Sequence, residues 1–136
     1  LAHHVAGRDL TVAEKTAMVA VRDTAKVNWE RIIGATVVAS LNRTLRQMVL
    51  SPEEQDFTAL ARSWSKMKGH LLALQFLPNA QMPRDTLMSI HEKVGVSPNT
   101  TDAEALRGVR STLGLVYSFD AENLGDDSGN GGWGKE

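Results

Sequence analysis

The chain has 136 residues, of which 42% are hydrophobic, and a formal net charge of -1. This length fits one domain or a piece of one, and the hydrophobic fraction is sufficient for a core. The near balance of interspersed acids and bases argues against a dedicated nucleic-acid binder and against a protein of anionic membrane surfaces. The absence of cysteine excludes a disulfide scaffold, a thiolate zinc site and a cysteine nucleophile.

The N-terminal segment contains His3 and His4 and ends at Gly7, which predicts the tail of a helix that the glycine stops. A metal site on the histidine pair is one alternative. Neighbouring side chains point apart on a helix, so the spacing favours an exposed polar pair. The sequence opens with Leu1 rather than methionine, and we expect either a removed leader or a fragment of a longer protein.

A long helix is predicted from Thr11 to about Val49, because Thr11 and Glu14 form a capping box. Two apolar stripes run along it, one made of Met18, Val21, Ala25, Trp29 and Ile32 and the other of Ile33, Val37, Leu41, Leu45 and Met48. Two stripes let one helix pack against two neighbours, as in a bundle. The nearly all-apolar run 32–41 indicates burial on most faces and is shorter than the ~20 residues of a membrane span.

A second helix is predicted to begin at Ser51, with Pro52 in its first turn and Glu54 completing a capping box, and to end near Gln75. Steps of three and four residues define its apolar seam, which consists of Phe57, Leu60, Trp64, Met67, Leu71 and Leu74. Gly69 lies inside this helix, where a glycine often permits close approach of a neighbouring helix. We therefore expect the helix that contains Trp29 to pack closely there.

The remainder predicts a connector over 77–83, a short helix from Arg84 to Val94 stopped by Gly95, and a last helix opened by a capping box at 101–104. Gly, Asp, Asn and Ser then dominate, which predicts a flexible tail over 120–136. Residues from Asp126 resemble the start of a calcium-binding loop, but the acidic ligand that such a loop needs at its twelfth position is missing. This favours a flexible tail over a calcium site. We find no strand and no repeat. The predicted fold is an all-α helical bundle over 1–119, part of a larger bundle, followed by this acidic, glycine-rich tail.

Residues 64–78 carry a family resemblance, in Trp64, Lys68-Gly69, Gln75-Phe76 and Pro78, continued by Leu87, His91 and Gly95. With the upstream segment 29–36, this pattern resembles a bacterial family of lipoproteins of unknown function related to the imelysin-like, iron-regulated surface proteins. The resemblance covers about residues 25–97. It implies a helical protein of the cell envelope, periplasmic or surface-anchored, with iron or haem uptake as a linked process. It implies no reaction, and the family's Gly-x-His-x-x-Glu motif is incomplete, because Ala73 stands three residues after His70.

Two function classes follow from these residues. The first is a non-enzymatic envelope protein with a binding or structural role, which rests on the resemblance of residues 64–78 and on the absence of a catalytic constellation. Any cofactor is unknown. The second is a metal-binding protein or metalloenzyme that uses His70, His91 and a carboxylate such as Glu92. A histidine on an apolar face is more often a hydrogen-bonded core residue, which favours the first class. Lys66 and Lys68 could hold an anion, although a solvated lysine face is the commoner arrangement.

The two stripes of the long helix also predict assembly. The later helices are short and can cover one side of the central run, which would leave an apolar patch larger than monomers usually expose. We therefore expect a homo-oligomer, or a second chain that supplies missing helices, with no nucleic acid and no transmembrane segment. The expected interface residues are Trp29, Val37, Leu41, Leu45 and Trp64.

Overall fold

A computed structural model of the chain describes Gly7 and residues 9–77 and 80–134. His3 and His4 lie outside these residues. Five α-helices follow one another along the chain: α1 (Val12–Met48), α2 (Phe57–Leu74), α3 (Arg84–Val94), α4 (Ala103–Tyr117) and α5 (Ala121–Leu124). No strand occurs in the ranges described, so the predicted all-α helical bundle is confirmed.

The start of α1 is the predicted capping box. The Thr11 hydroxyl accepts a hydrogen bond from the backbone N–H of Glu14, and a carboxylate oxygen of Glu14 accepts from the backbone N–H of Thr11. These two bonds satisfy donors that a helix N-terminus otherwise leaves unpaired. Within the described ranges, no helix is both long enough and apolar enough to cross a membrane.

The predicted start of the second helix at Ser51 is wrong, because α2 begins at Phe57 with Asp56 as its cap. The Asp56 carboxylate accepts from the backbone N–H of Thr58. Residues 51–55 instead form a separate turn, in which the backbone N–H groups of Glu54 and Gln55 donate to the Ser51 carbonyl. The side-chain amide of Gln55 donates to the Leu50 carbonyl. The turn is therefore bonded to the end of α1 and is not part of α2.

The predicted capping box at the start of the last helix is also corrected. Asp102 caps α4 by accepting from the backbone N–H of Ala105. Thr101 joins three elements instead, because its hydroxyl accepts from the Trp64 indole N–H at 2.7 Å and donates to the Val94 carbonyl at 2.6 Å. Trp64 therefore has its polar atom satisfied while it is buried, which is the usual condition for an inward-facing tryptophan.

The core lies where α1 packs against α2 and α4, and α3 closes the bundle against α2 and α4. Its fully buried members come from four helices: Val37, Val38, Leu41 and Leu45; Met67 and Leu71; Val94; and Leu106, Val109 and Leu113. Residues in these positions recur every three or four places, so each helix presents one apolar face to the others. The N-terminal part of α1 extends beyond this core.

Residues 125–134, which we call the C-terminal loop, pack against α1 and α4, contrary to the predicted flexible tail. The buried amide of Asn42 donates to the carbonyls of Leu124 and Trp133, each at 2.9 Å. The guanidinium of Arg110 donates to Oδ1 of Asn42 at 2.9 Å and to the Asp126 carbonyl at 2.6 Å. The composition suggested disorder, but buried polar groups distant in sequence satisfy the loop's carbonyls.

Candidate functional site

The N-terminal part of α1 is a free-standing helical arm. Every residue from 15 to 29 is exposed, and the first buried residue of α1 is Glu30. At 1.5 Å per residue this segment is about 22 Å long. We call residues 15–29 the α1 arm.

Apolar side chains line one side of this arm and continue onto its base. The side chains of Val21, Trp29 and Ile32 are 70%, 62% and 59% exposed. Together with Met18 and Ala25 they form the first stripe predicted from the sequence, which we call the outer stripe. At ~100° per residue, the outer stripe lies about 160° around the helix from the buried face that Gly34, Val37 and Leu41 present to the core. The two stripes therefore face opposite directions.

The structure divides the expected interface residues between these two faces. Val37, Leu41 and Leu45 have no exposed surface, because α2 and α4 of the same chain cover them. Trp64 is 8% exposed and belongs to the same core. These four residues are not available to a second chain, and their assignment to an interface is corrected. Trp29 alone among the five remains on the surface.

Glu30 fixes the base of the arm to the bundle. One carboxylate oxygen accepts from the backbone N–H of Gln81 at 2.8 Å, and the other accepts from the N–H of Met82 at 2.9 Å and from the Tyr117 hydroxyl at 3.0 Å. Burial, and then the Glu30 carboxylate, raise the pKa of Tyr117 well above its ordinary value. Glu30 stands seven residues before Val37 and therefore lies on the core face of α1.

The close approach expected at Gly69 occurs at Gly34 instead. A Cβ at Gly34 would lie 2.6 Å from the Tyr117 ring, so only a residue without a side chain lets this ring reach α1. A Cβ at Gly69 would meet nothing within 4 Å, and Gly69 is exposed. The packing that defines the arm's base therefore depends on Gly34 and Tyr117.

A cavity of about 490 Å³ lies beside the base of the arm, next to the outer stripe. The α1 helix lines it with Asn28, Arg31, Ile32 and Ala35, and the opposite side is lined by Ser118, Phe119, Asp120, Asn123 and Trp133. The rings of Phe119 and Trp133 meet edge to face, with their centroids 4.7 Å apart. The outer stripe thus continues through Ile32 into a cavity whose lining combines apolar and polar side chains.

The two histidines of the predicted metal site have different surroundings. Nδ1 of His70 lies 3.3 Å from the Ser40 hydroxyl of α1. His91 lines a separate cavity formed by the end of α2, the connector and α3, together with residues such as Leu74, Met82 and Leu87. Glu92, the carboxylate named with them, is exposed. Across the described residues, no group of three or more His, Asp or Glu side chains is arranged to hold a metal ion.

Lys68 contributes to the surroundings of His91. Its ammonium group donates to the carbonyls of Gly95 and His91, at 2.8 and 3.3 Å, and so closes the C-terminal end of α3. Burial, and then the positive charge of Lys68, lower the pKa of His91, so this imidazole is neutral at pH 7. Nε2 of His91 is buried without a hydrogen-bond partner. Of the two lysines proposed to hold an anion, Lys68 is thus engaged with backbone, whereas Lys66 lines a cleft between α1 and α2.

No family of proteins, no curated protein and no solved structure matches this chain.

Proposed function

We propose that this chain is a non-enzymatic, helical binding or structural protein that works as an assembly, with the outer stripe as its contact surface. The observation that supports this most directly is the exposure of Val21, Trp29 and Ile32 along one side of a helix. The family resemblance of residues 64–78 supports a place in the bacterial cell envelope and a link to iron or haem uptake. Recovery of the native protein in the envelope fraction of its source cells tests this location.

The composition of the α1 arm supports a partner. Isolated helices of about 15 residues are marginal in water even when they are rich in alanine. The arm contains Val19, Val21 and Val27, and β-branched residues form helices less readily than alanine does. Most helical stability in proteins comes from packing of an apolar face. The arm therefore needs a surface that covers the outer stripe.

The spacing of the outer stripe favours a second copy of this chain as that partner. From Met18 the steps are 3, 4, 4 and 3 residues, so the stripe is symmetric about Ala25. In an antiparallel pair with a two-fold axis at Ala25, Met18 lies opposite the partner's Ile32, and Val21 lies opposite the partner's Trp29. Such a contact is self-complementary, as a two-fold homodimer interface requires.

The charges beside the stripe are compatible with this pairing. Residues equally far before and after Ala25 face each other, so Arg22 meets the partner's Asn28 and Lys15 meets the partner's Ala35. No two like charges are placed opposite one another along the stripe. The small side chain at Ala25 allows the two helices to approach closely at the axis. The cavity beside Ile32 extends the contact beyond the arm itself.

A single cysteine tests the position of the two-fold axis, because the chain contains none. Ala25→Cys places one thiol at the axis of the proposed pair, and we expect fast oxidation to a disulfide-linked dimer. Ser65→Cys, on the exposed side of α2, is the matched control and should cross-link only slowly. Equal rates for the two variants would contradict an interface centred on Ala25.

A further inference from the structure

A cleft of about 440 Å³ between α1 and α2 is lined mainly by basic and polar side chains. Arg43, Arg46 and Gln47 come from α1, and Arg62, Ser63 and Lys66 come from α2. Within the described part of the chain, no Asp or Glu lines this cleft. Because the whole chain has a formal net charge of -1, the cleft is a local concentration of positive charge. We call it the basic cleft.

Two like charges are neighbours on the α2 wall of the basic cleft. Arg62 and Lys66 are four residues apart, a spacing at which side chains lie close together on a helix surface, and like charges there destabilise the helix. An anion in the cleft would turn this repulsion into attraction.

The walls are held in place by the core behind them. The α1 and α2 helices pack against each other through fully buried residues, including Leu41 and Met67. The guanidinium of Arg46 donates to the carbonyls of Gly129 and Gly134, at 2.6 and 2.8 Å, which fixes its position at the edge of the cleft. A guanidinium has five N–H groups, so donors remain for a ligand. The cleft therefore presents a charge arrangement that exists before any ligand binds.

We propose that the basic cleft binds a small anion with two or more phosphate groups. Planar guanidinium groups match phosphate oxygens with paired hydrogen bonds, and a lysine adds a compact positive charge. The volume lies within the usual range of small-molecule sites and exceeds what a single phosphate needs. A free polyphosphate and the phosphate tail of a nucleotide share this chemistry. Arg62 and Lys66 are the two residues that the proposal requires most, because both are exposed at the mouth of the cleft.

Isothermal titration of the full chain at low salt, with inorganic pyrophosphate and separately with ADP, tests the proposal. We expect saturable binding, and we expect Arg62→Gln/Lys66→Gln to weaken it by about tenfold or more, since charge-assisted hydrogen bonds are lost. Lys26→Gln, on the exposed α1 arm, removes the same kind of charge elsewhere and should change the affinity by less than about twofold. Similar affinities for the two ligands would support recognition of phosphate alone, whereas clearly tighter ADP binding would support a nucleotide.

Thermal unfolding supplies a second readout. Pyrophosphate should raise the Tm of the wild-type chain and of Lys26→Gln but not that of the double variant. Without pyrophosphate, the double variant should melt at the same temperature or higher, because one repulsive pair is gone. If the double variant does not fold, Lys66→Gln alone should show a smaller loss of affinity. No saturable binding, equal weakening by Lys26→Gln, or binding of an RNA oligonucleotide without binding of pyrophosphate would overturn the proposal.

Discussion

The Tyr117 hydroxyl donates a hydrogen bond to the Glu30 carboxylate at 3.0 Å and joins residues 87 positions apart in the chain. The same carboxylate accepts two backbone N–H groups from Gln81 and Met82. Glu30 therefore holds the end of α4 and the connector against α1, at the point where the helix leaves the core. A buried carboxylate is tolerated there because its oxygens are satisfied by three donors.

Removal of this carboxylate should destabilise the fold. Glu30→Ala leaves the backbone N–H groups of Gln81 and Met82 without an acceptor, and we expect a loss of about 3 kcal/mol in the free energy of unfolding. Glu92→Ala, on an exposed site of α3, is the control and should stay within about 0.5 kcal/mol of wild type. Urea denaturation of both variants measures the difference. Equal midpoints would show that the connector does not depend on Glu30.

The raised pKa of Tyr117 predicts a loss of stability at alkaline pH. Burial and Glu30 favour the protonated phenol in the folded state, so this contribution is complete below a tyrosine's ordinary pKa of 10.0 and falls as the pH rises above it. Tyr117→Phe should remove this part of the pH dependence while it costs about 1 kcal/mol at pH 7. Because Tyr117 is the one tyrosine in the sequence, phenolate absorbance reports it directly. If the Tyr117 phenol loses its proton near pH 10 while the chain is still folded, the burial of Tyr117 is contradicted.

The two helical glycines at positions 34 and 69 should respond to alanine in opposite ways. Gly34→Ala places a methyl group against the Tyr117 ring, and we expect a destabilisation of about 1–3 kcal/mol from overpacking. Gly69→Ala meets open space and should stabilise the helix by about 1 kcal/mol. Thermal melts of the two variants give the comparison. A stabilising Gly34→Ala would mean that the Tyr117 ring can move aside without cost.

The sequence predicts the helices better than it predicts their polar contacts. The capping box at Thr11 and the stop at Gly95 are local signals, and the structure confirms both. The predicted start of the second helix at Ser51 is wrong, because the same capping pattern also occurs in an isolated turn. The role of Glu30 could have been inferred from its register with Val37, since a charged residue on a core face must find partners.

The packing of the C-terminal loop could not be predicted from composition, because its partners lie far away in the chain. Asn42 and Arg46 belong to α1, and Arg110 belongs to α4. These side chains bind carbonyl groups of the loop's backbone, which every sequence has, so the loop's own residues give no sign of the contact. The outer stripe, in contrast, is predicted by the three- and four-residue spacing of its apolar residues. The spacing alone does not indicate which of the two stripes on α1 is buried in the core.

Asn42 should control the attachment of the C-terminal loop. Asn42→Ala removes the donors to the Leu124 and Trp133 carbonyls and the acceptor for the buried Arg110 guanidinium, so we expect a loss of about 3 kcal/mol in the free energy of unfolding. Cleavage before Asp126 by an Asp-specific protease should become faster, because the loop leaves its site more often. Asn99→Ala, at an exposed asparagine, should leave the cleavage rate unchanged. Equal rates for both variants would mean that the loop is held by other contacts.

Multi-angle light scattering over a range of protein concentrations tests most directly whether the chain associates through the outer stripe. We expect a concentration-dependent dimer for the wild type and a monomer for Val21→Asp, in which a charge interrupts the stripe. Leu115→Asp changes an equally exposed apolar residue on α4, away from the stripe, and should still dimerise. A wild-type chain that stays monomeric at micromolar concentration and binds no hydrophobic dye would contradict the account.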